Sequence, residues 1–168
     1  MLEAWHDLYV MLGSSAAALI GLLFVATSLH LDDIIANQVY RHRARNIALH
    51  LLALLVQATA ILAPQPMTLL GLEICAVNLL GLSIPITFTH RAFIRDRELG
   101  RRGGSVLSIA IAYMAGYLTG VVGGAALFFG AGWGLYLVTA AFVDFLVSVI
   151  VNAWAVMLGL RSPEEMRK

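Results

Sequence analysis

Asp144, Ser148 and Asn152 recur every four residues in AAFVDFLVSVIVNAW, residues 140–154, a stretch that is otherwise almost wholly apolar. On a helix these three positions drift by only about 80° and share one face. A carboxyl, a hydroxyl and a carboxamide in register form an oxygen-rich track, able to coordinate a cation or pass protons. What that track does depends on the solvent around it.

If the stretch crosses a bilayer, Asp144 lies nine residues into its span, about 14 Å deep at 1.5 Å per residue. A charged Asp near the midplane costs about 2.5–3.5 kcal/mol or more, and no predicted span contains a Lys or Arg to offset it. Three arrangements remain. The carboxyl is protonated, it faces water in a pore or cavity, or it helps hold a cation with Thr119, Ser148 and Asn152 nearby. Each has a plain structural counterpart: a neutral Asp bonded to the next helix, or a register lock between subunits, needs no function.

A second set of intramembrane polar groups is Glu73, Gln57, Asn78 and His50. Folding residues 46–89 into a hairpin about 64–65 puts Gln57 level with Leu72 and Glu73, and His50 level with Leu79, next to Asn78. Folding about 131–132 puts Asp144 level with Thr119, and Ser148 with Ala115. Glu73 is about 9 Å deep and near enough to the outer surface to reach water.

The remaining chemistry-bearing residues match no catalytic pattern. His30, His42, His50 and His90, with Asp32 and Asp33, have no metal-ligand spacing. A bis-His haem between His50 and His90 fails because the two lie about ten residues apart in level. Cys75 is the only cysteine, so no intramolecular disulfide and no CxxC site exists. There is no P-loop, nucleophile elbow or Ser-His-Asp arrangement. No cofactor, metal or nucleic-acid partner is expected. LDDIIANQVYR places two acids beside an arginine but lacks the glycines of a headgroup-processing motif, which leaves a lipid-headgroup enzyme as the weakest reading.

Composition explains why a bilayer is the solvent. The 168 residues are 60% hydrophobic and 12% charged, with a mean hydropathy of +0.85, against about 25% charged for a soluble domain. The apolar residues fall into five runs near the length that crosses a bilayer core of about 30 Å: 8–29, 46–63, 67–89, 105–129 and 135–160. The expected fold class is therefore all-α, a single transmembrane domain over 1–168 with five transmembrane helices. The N-terminus, MLEAWHDLYV, has no basic n-region and reads as part of a retained helix. The segment 31–45 carries apolar residues at 31, 34, 35 and 39, and predicts an amphipathic cytoplasmic continuation of the first helix.

Charge placement sets the orientation. All eleven basic residues fall on one side under this count: Arg41, Arg43 and Arg45; Arg91, Arg95, Arg97, Arg101 and Arg102; Arg161, Arg167 and Lys168. The positive-inside rule then puts the N-terminus outside and the C-terminus in the cytoplasm. Trp5, Tyr9, Trp133 and Tyr136 fall at the outer interface. The arginines face anionic lipid headgroups, and their excess over lysine is the usage of a GC-rich bacterial genome, which points to a bacterial inner membrane.

Packing is signalled by small residues, through which helices in lipid approach closely. Gly116, Gly120 and Gly124 repeat every four residues in YMAGYLTGVVGGAALFFG, and Gly13, Ala17 and Gly21 do so in the first span. Pro85, inside the third, removes a backbone bond near Gly81 and can kink the helix. Five helices with short loops make a thin bundle, so the expected function is a small homo-oligomeric ion channel or ion-translocating protein, with Asp144, Ser148, Asn152 and Thr119 along the path. The alternative from another class is a non-conducting accessory or assembly subunit of a larger membrane complex.

Overall fold

The computed structural model describes the backbone of residues 2–36, 38–99 and 104–160, and within these the side chains of 4–32, 34–36, 38, 41–83, 86 and 111–154. Among the described residues the chain is all helical, with no strand. A single 3-10 turn at Leu2–Trp5 leads into α1 (His6–Leu29), α2 (Leu31–Ala36), α3 (Gln38–Leu62), α4 (Met67–Leu99), α5 (Gly104–Phe128) and α6 (Gly134–Leu160). Helices are what an apolar chain must form in hydrocarbon, because only they satisfy every backbone group internally.

Four of them contain stretches long and apolar enough to cross a membrane: His6–Leu29, Arg41–Leu62, Ile111–Phe128 and Gly134–Trp154. Within α4 the apolar stretch among the described residues is shorter, Met67–Ser83. These helices mark the chain as an integral membrane protein.

The breaks between helices have local causes. Pro64 and Pro66 cannot donate backbone bonds, so α3 stops at Leu62 and α4 starts once Leu70 N–H reaches Pro66 O at 3.1 Å. The α5–α6 turn is a Schellman motif: Gly130 takes φ +79°, its N–H bonds Leu127 O at 2.9 Å and Ala131 N–H bonds Ala126 O at 2.8 Å. The first helix does not continue through 31–45 as the amphipathic pattern predicts. It stops at His30, whose φ of −120° and ψ of 30° leave the helical region. The six-residue α2 follows, with Ile34 buried, and α3 already includes the arginines at 41, 43 and 45. Among the described residues of the apolar face of 31–45, only Ile34 is spent on packing α2 against α3; Leu31 and Ile35 are exposed.

α4 packs most extensively on α5, and α5 on α6; α3 touches α1, α4 and α6. Together α3, α4, α5 and α6 enclose one interior, and α1 lies outside it against α3. Tyr9 of α1 reaches α6, donating to Thr139 Oγ1 at 2.9 Å, while Thr139 donates to Leu135 O at 2.8 Å. The outward residues of α6, among them Val143, Val147, Ile150, Val151 and Trp154, are exposed and apolar, as a lipid-facing surface must be.

Candidate functional site

Four polar residues of the spans, His50, Gln57, Asn78 and Asn152, turn inward. On α3, His50 and Gln57 are seven residues apart and so share a face, and both are 2% exposed. On α4, Asn78 is fully buried. Its amide donates to Gln57 Oε1 at 2.9 Å and to Ile74 O at 2.8 Å. On α5, Tyr113 and Tyr117 are buried one turn apart. On α6, Asn152 donates to Tyr113 OH at 2.9 Å and to Ser148 O at 2.9 Å.

Aromatic contacts tie these groups into one cluster. The His50 ring lies 4.0 Å from Tyr113 and 5.5 Å from Tyr117, centroid to centroid. Phe145 lies 4.6 Å from Tyr117 and 5.9 Å from His50. Glycines let the polar groups come close to backbone. A Cβ at Gly116 would fall 2.5 Å from Asp144 Oδ2, and one at Gly81 would fall 2.8 Å from the Tyr117 hydroxyl. A Cβ at Gly120 would strike the Asn78 carboxamide.

The cluster is short of partners. His50 Nε2, Gln57 Nε2, Asn78 Oδ1, the Tyr117 hydroxyl and Asp144 Oδ2 are buried with no hydrogen-bond partner. Each such atom costs about 1–3 kcal/mol, so a native interior carries few. Measured from the helix ends at the 63–66 and 129–133 turns, Gln57 is about 8 Å deep, Asp144, Asn78 and Tyr117 about 15–17 Å, His50 about 18 Å and Asn152 about 27 Å. The polar groups therefore form a column from Gln57 through a layer of His50, Asn78, Tyr117 and Asp144 to Asn152, with four of the five unpartnered groups near one level.

A cleft of about 590 Å³ lies between α3 and α4; its wall is mostly apolar, with Leu55, Val56, Ile74 and Val77, and carries Gln57, Thr59, Ala60, Gln65 and Glu73 as well. Gln65 Nε2 donates to Glu73 Oε2 at 2.8 Å and to Ala60 O at 2.7 Å, which ties the carboxylate to the 63–66 turn.

Several residues meet different neighbours from those the hairpin levels imply. Gln57 pairs with Asn78, not with the level of Glu73; α4 packs far more extensively on α5 than on α3, so the α3–α4 turn alone does not set its height. His50 meets α5 rather than α4. In the α5–α6 hairpin Asp144 lies beside Gly116, one turn from Thr119; Thr119 and Ser148 are half-buried. Of the small residues, Gly116, Gly120 and Gly124 all lie at contacts, Gly124 against Cys75 and Gly71 of α4. A Cβ at Gly13 would lie 3.0 Å from Ala58 Cβ, whereas Ala17 is exposed and a Cβ at Gly21 would meet nothing within 4 Å. Arg41 and Arg45 are exposed and Arg43 is half-buried. Arg101 and Arg102 lie outside the described residues, as do the side chains of Arg95, Arg97, Asp33, Pro85 and His90. Among the described residues no group of three or more His, Cys, Asp or Glu side chains could hold a metal ion.

Tyr113 and Tyr117 are the members that sequence reasoning misses. Their signal is present in YMAGY: two phenols four residues apart inside an apolar span, each needing a polar partner when buried.

Fold and site together define the class: a membrane protein, all helical among the described residues, with a small set of polar groups inside an apolar core. Comparison with known proteins finds no matching family model, no matching curated protein and no matching solved structure.

Proposed function

We propose that this chain is an ion-translocating membrane protein whose path runs through the interior formed by α3, α4, α5 and α6. The observation that carries this reading is the column of five buried, unpartnered polar atoms contributed by all four helices. Intramembrane ionisable groups by default mark ion or proton pathways, and Asp144 and His50 both belong to the column. In this reading α4 is a fifth span, the N-terminus is outside and the arginine-rich ends face the cytoplasm and its anionic headgroups, in a bacterial inner membrane. The lipid-facing apolar surface of α6 favours a path within each protomer over one along an axis between subunits.

Reconstitution into liposomes tests it. The full chain is expected to pass protons or monovalent cations down a gradient, and Asp144→Asn to lower that flux at least tenfold. Absence of flux for every ion tested overturns the reading.

A second reading rests on a separate observation. Ala17 and Gly21 present a small-residue face left uncovered among the described residues, and such faces dock helices in lipid. A homo-oligomer, or an accessory subunit held in a larger membrane complex, would use it. The oligomeric state in mild detergent, and its change in Gly21→Leu, distinguishes these from a monomer.

A further inference from the structure

The column's donors and acceptors are specific enough to say what fills it. Both amide hydrogens of Asn78 are spent, on Gln57 Oε1 and Ile74 O, so its free atom Oδ1 is an acceptor. Gln57 Oε1 is occupied, so its free Nε2 offers two donors. His50 Nδ1 contacts the carbonyl of Asn46 at 2.5 Å. A carbonyl only accepts, so Nδ1 carries the proton, and Nε2 of the neutral ring is left as an acceptor facing the interior. Asp144 Oδ2 offers lone pairs, and the Tyr117 hydroxyl has its own proton to give. Three acceptors and two donors are therefore left without partners in this interior.

A desolvated metal cation needs oxygen or nitrogen lone pairs on every side and is opposed by the Gln57 amide hydrogens. Water, which both gives and accepts, satisfies all five atoms. The wall of the cleft includes both Gln57 and Glu73, so the cleft is the opening that lies nearest the column.

From this geometry we infer that the column holds a string of water molecules, that the ion it carries is the proton, and that Asp144 Oδ2 and His50 Nε2 are its two relay stations, with the α3–α4 cleft as the outer mouth. The inference rests on the translocation reading above and narrows it. Each transfer breaks one O–H or N–H bond as another forms. A proton delivered by hydronium joins Asp144 Oδ2, leaves it to water, joins His50 Nε2 to give imidazolium, and leaves again to water near Tyr113 and Asn152. The Nδ1–H bond to Asn46 is kept throughout, so the ring does not have to flip. No electron moves, and the proton gradient supplies the drive.

The test uses full-length chain in liposomes with a pH dye inside and parallel sodium and potassium indicators. Proton flux with no sodium or potassium flux is expected. His50→Gln should lower proton flux at least tenfold with an unchanged elution profile in detergent. Tyr117→Phe, which removes one hydroxyl and keeps the ring, should lower it severalfold. Sodium or potassium flux that His50→Gln leaves unchanged overturns the proton assignment while the translocation reading stands; no flux of any ion overturns both. The mouth is tested separately by Ala60→Cys in a Cys75→Ser background, treated with a charged, membrane-impermeant thiol reagent. Labelling from outside is expected, and its absence overturns the cleft as a wet entrance.

Discussion

The two seams of α4 differ sharply. Against α5 it is sealed by glycine: a Cβ on Gly71 would lie 2.6 Å from Gly124 O and closer still to the Phe128 backbone, and one on Gly124 would lie 2.9 Å from Cys75 N. Against α3 the residues are Gln57 and Asn78, bonded through their carboxamides, with the cleft above them. Backbone pressed on backbone leaves no room for water, whereas side chains as long as these hold helices further apart. Small residues thus make the dry seam and carboxamides the polar one, and the two adjoin on α4: Asn78 is seven residues from Gly71 on the same face and also lies against Gly120 of α5.

The largest break in this contrast is expected at the dry seam. Gly71→Ala puts a methyl group into backbone that cannot swing aside, and should destabilise the bundle by about 3 kcal/mol, the upper end of overpacking costs. Unfolding in a denaturing-detergent titration measures it. A stability unchanged within error would mean that the two helices do not approach this closely.

The polar seam should respond differently to one change and to two. Asn78→Ala alone strips Gln57 Oε1 of its donor and should cost about 1–3 kcal/mol. Gln57→Leu with Asn78→Leu removes both partners and should recover most of that loss. A double-mutant cycle in the same titration reads the coupling, expected near 0.6 and at most about 1.7 kcal/mol for a bond between membrane helices.

Smaller effects sharpen the comparison at α1. Tyr9→Phe removes the bond to Thr139 but keeps the ring against Phe142, 5.5 Å away, so a loss of about 0.5–1.5 kcal/mol is expected. Gly21→Ala adds a methyl group where nothing lies within 4 Å. Its effect on the isolated chain should stay within about 0.5 kcal/mol, and a larger one, or a change in oligomeric state, would reveal a partner on that face.

Much of the architecture was legible in the residues. The starts and stops of the helices follow Pro64 and Pro66, the GAGWG turn with Gly130, and apolar runs of bilayer length. The site was legible in part. Asp144, Asn152, Gln57, Asn78 and His50 stand out because a polar group in an apolar run is rare and costly. The partners were not legible, since hairpin levels assume straight, parallel helices joined by symmetric turns. The α3–α4 pair breaks that assumption: Gln57 meets Asn78 rather than Glu73. The α5–α6 pair keeps it to within a turn, because Gly123 and Gly134 let the two helices lie close along their length.

What the amino-acid sequence determined by itself is the class of solvent, the helical segments within it and the identity of most polar residues, since each follows from local composition and period. Tertiary structure alone decided that these residues face one interior, that Tyr113 and Tyr117 join them, and which atoms are left without partners. The reason is physical. Rotation and height of a helix in lipid are set by how closely its small residues let neighbours approach, and that is a property of pairs of helices rather than of any one segment.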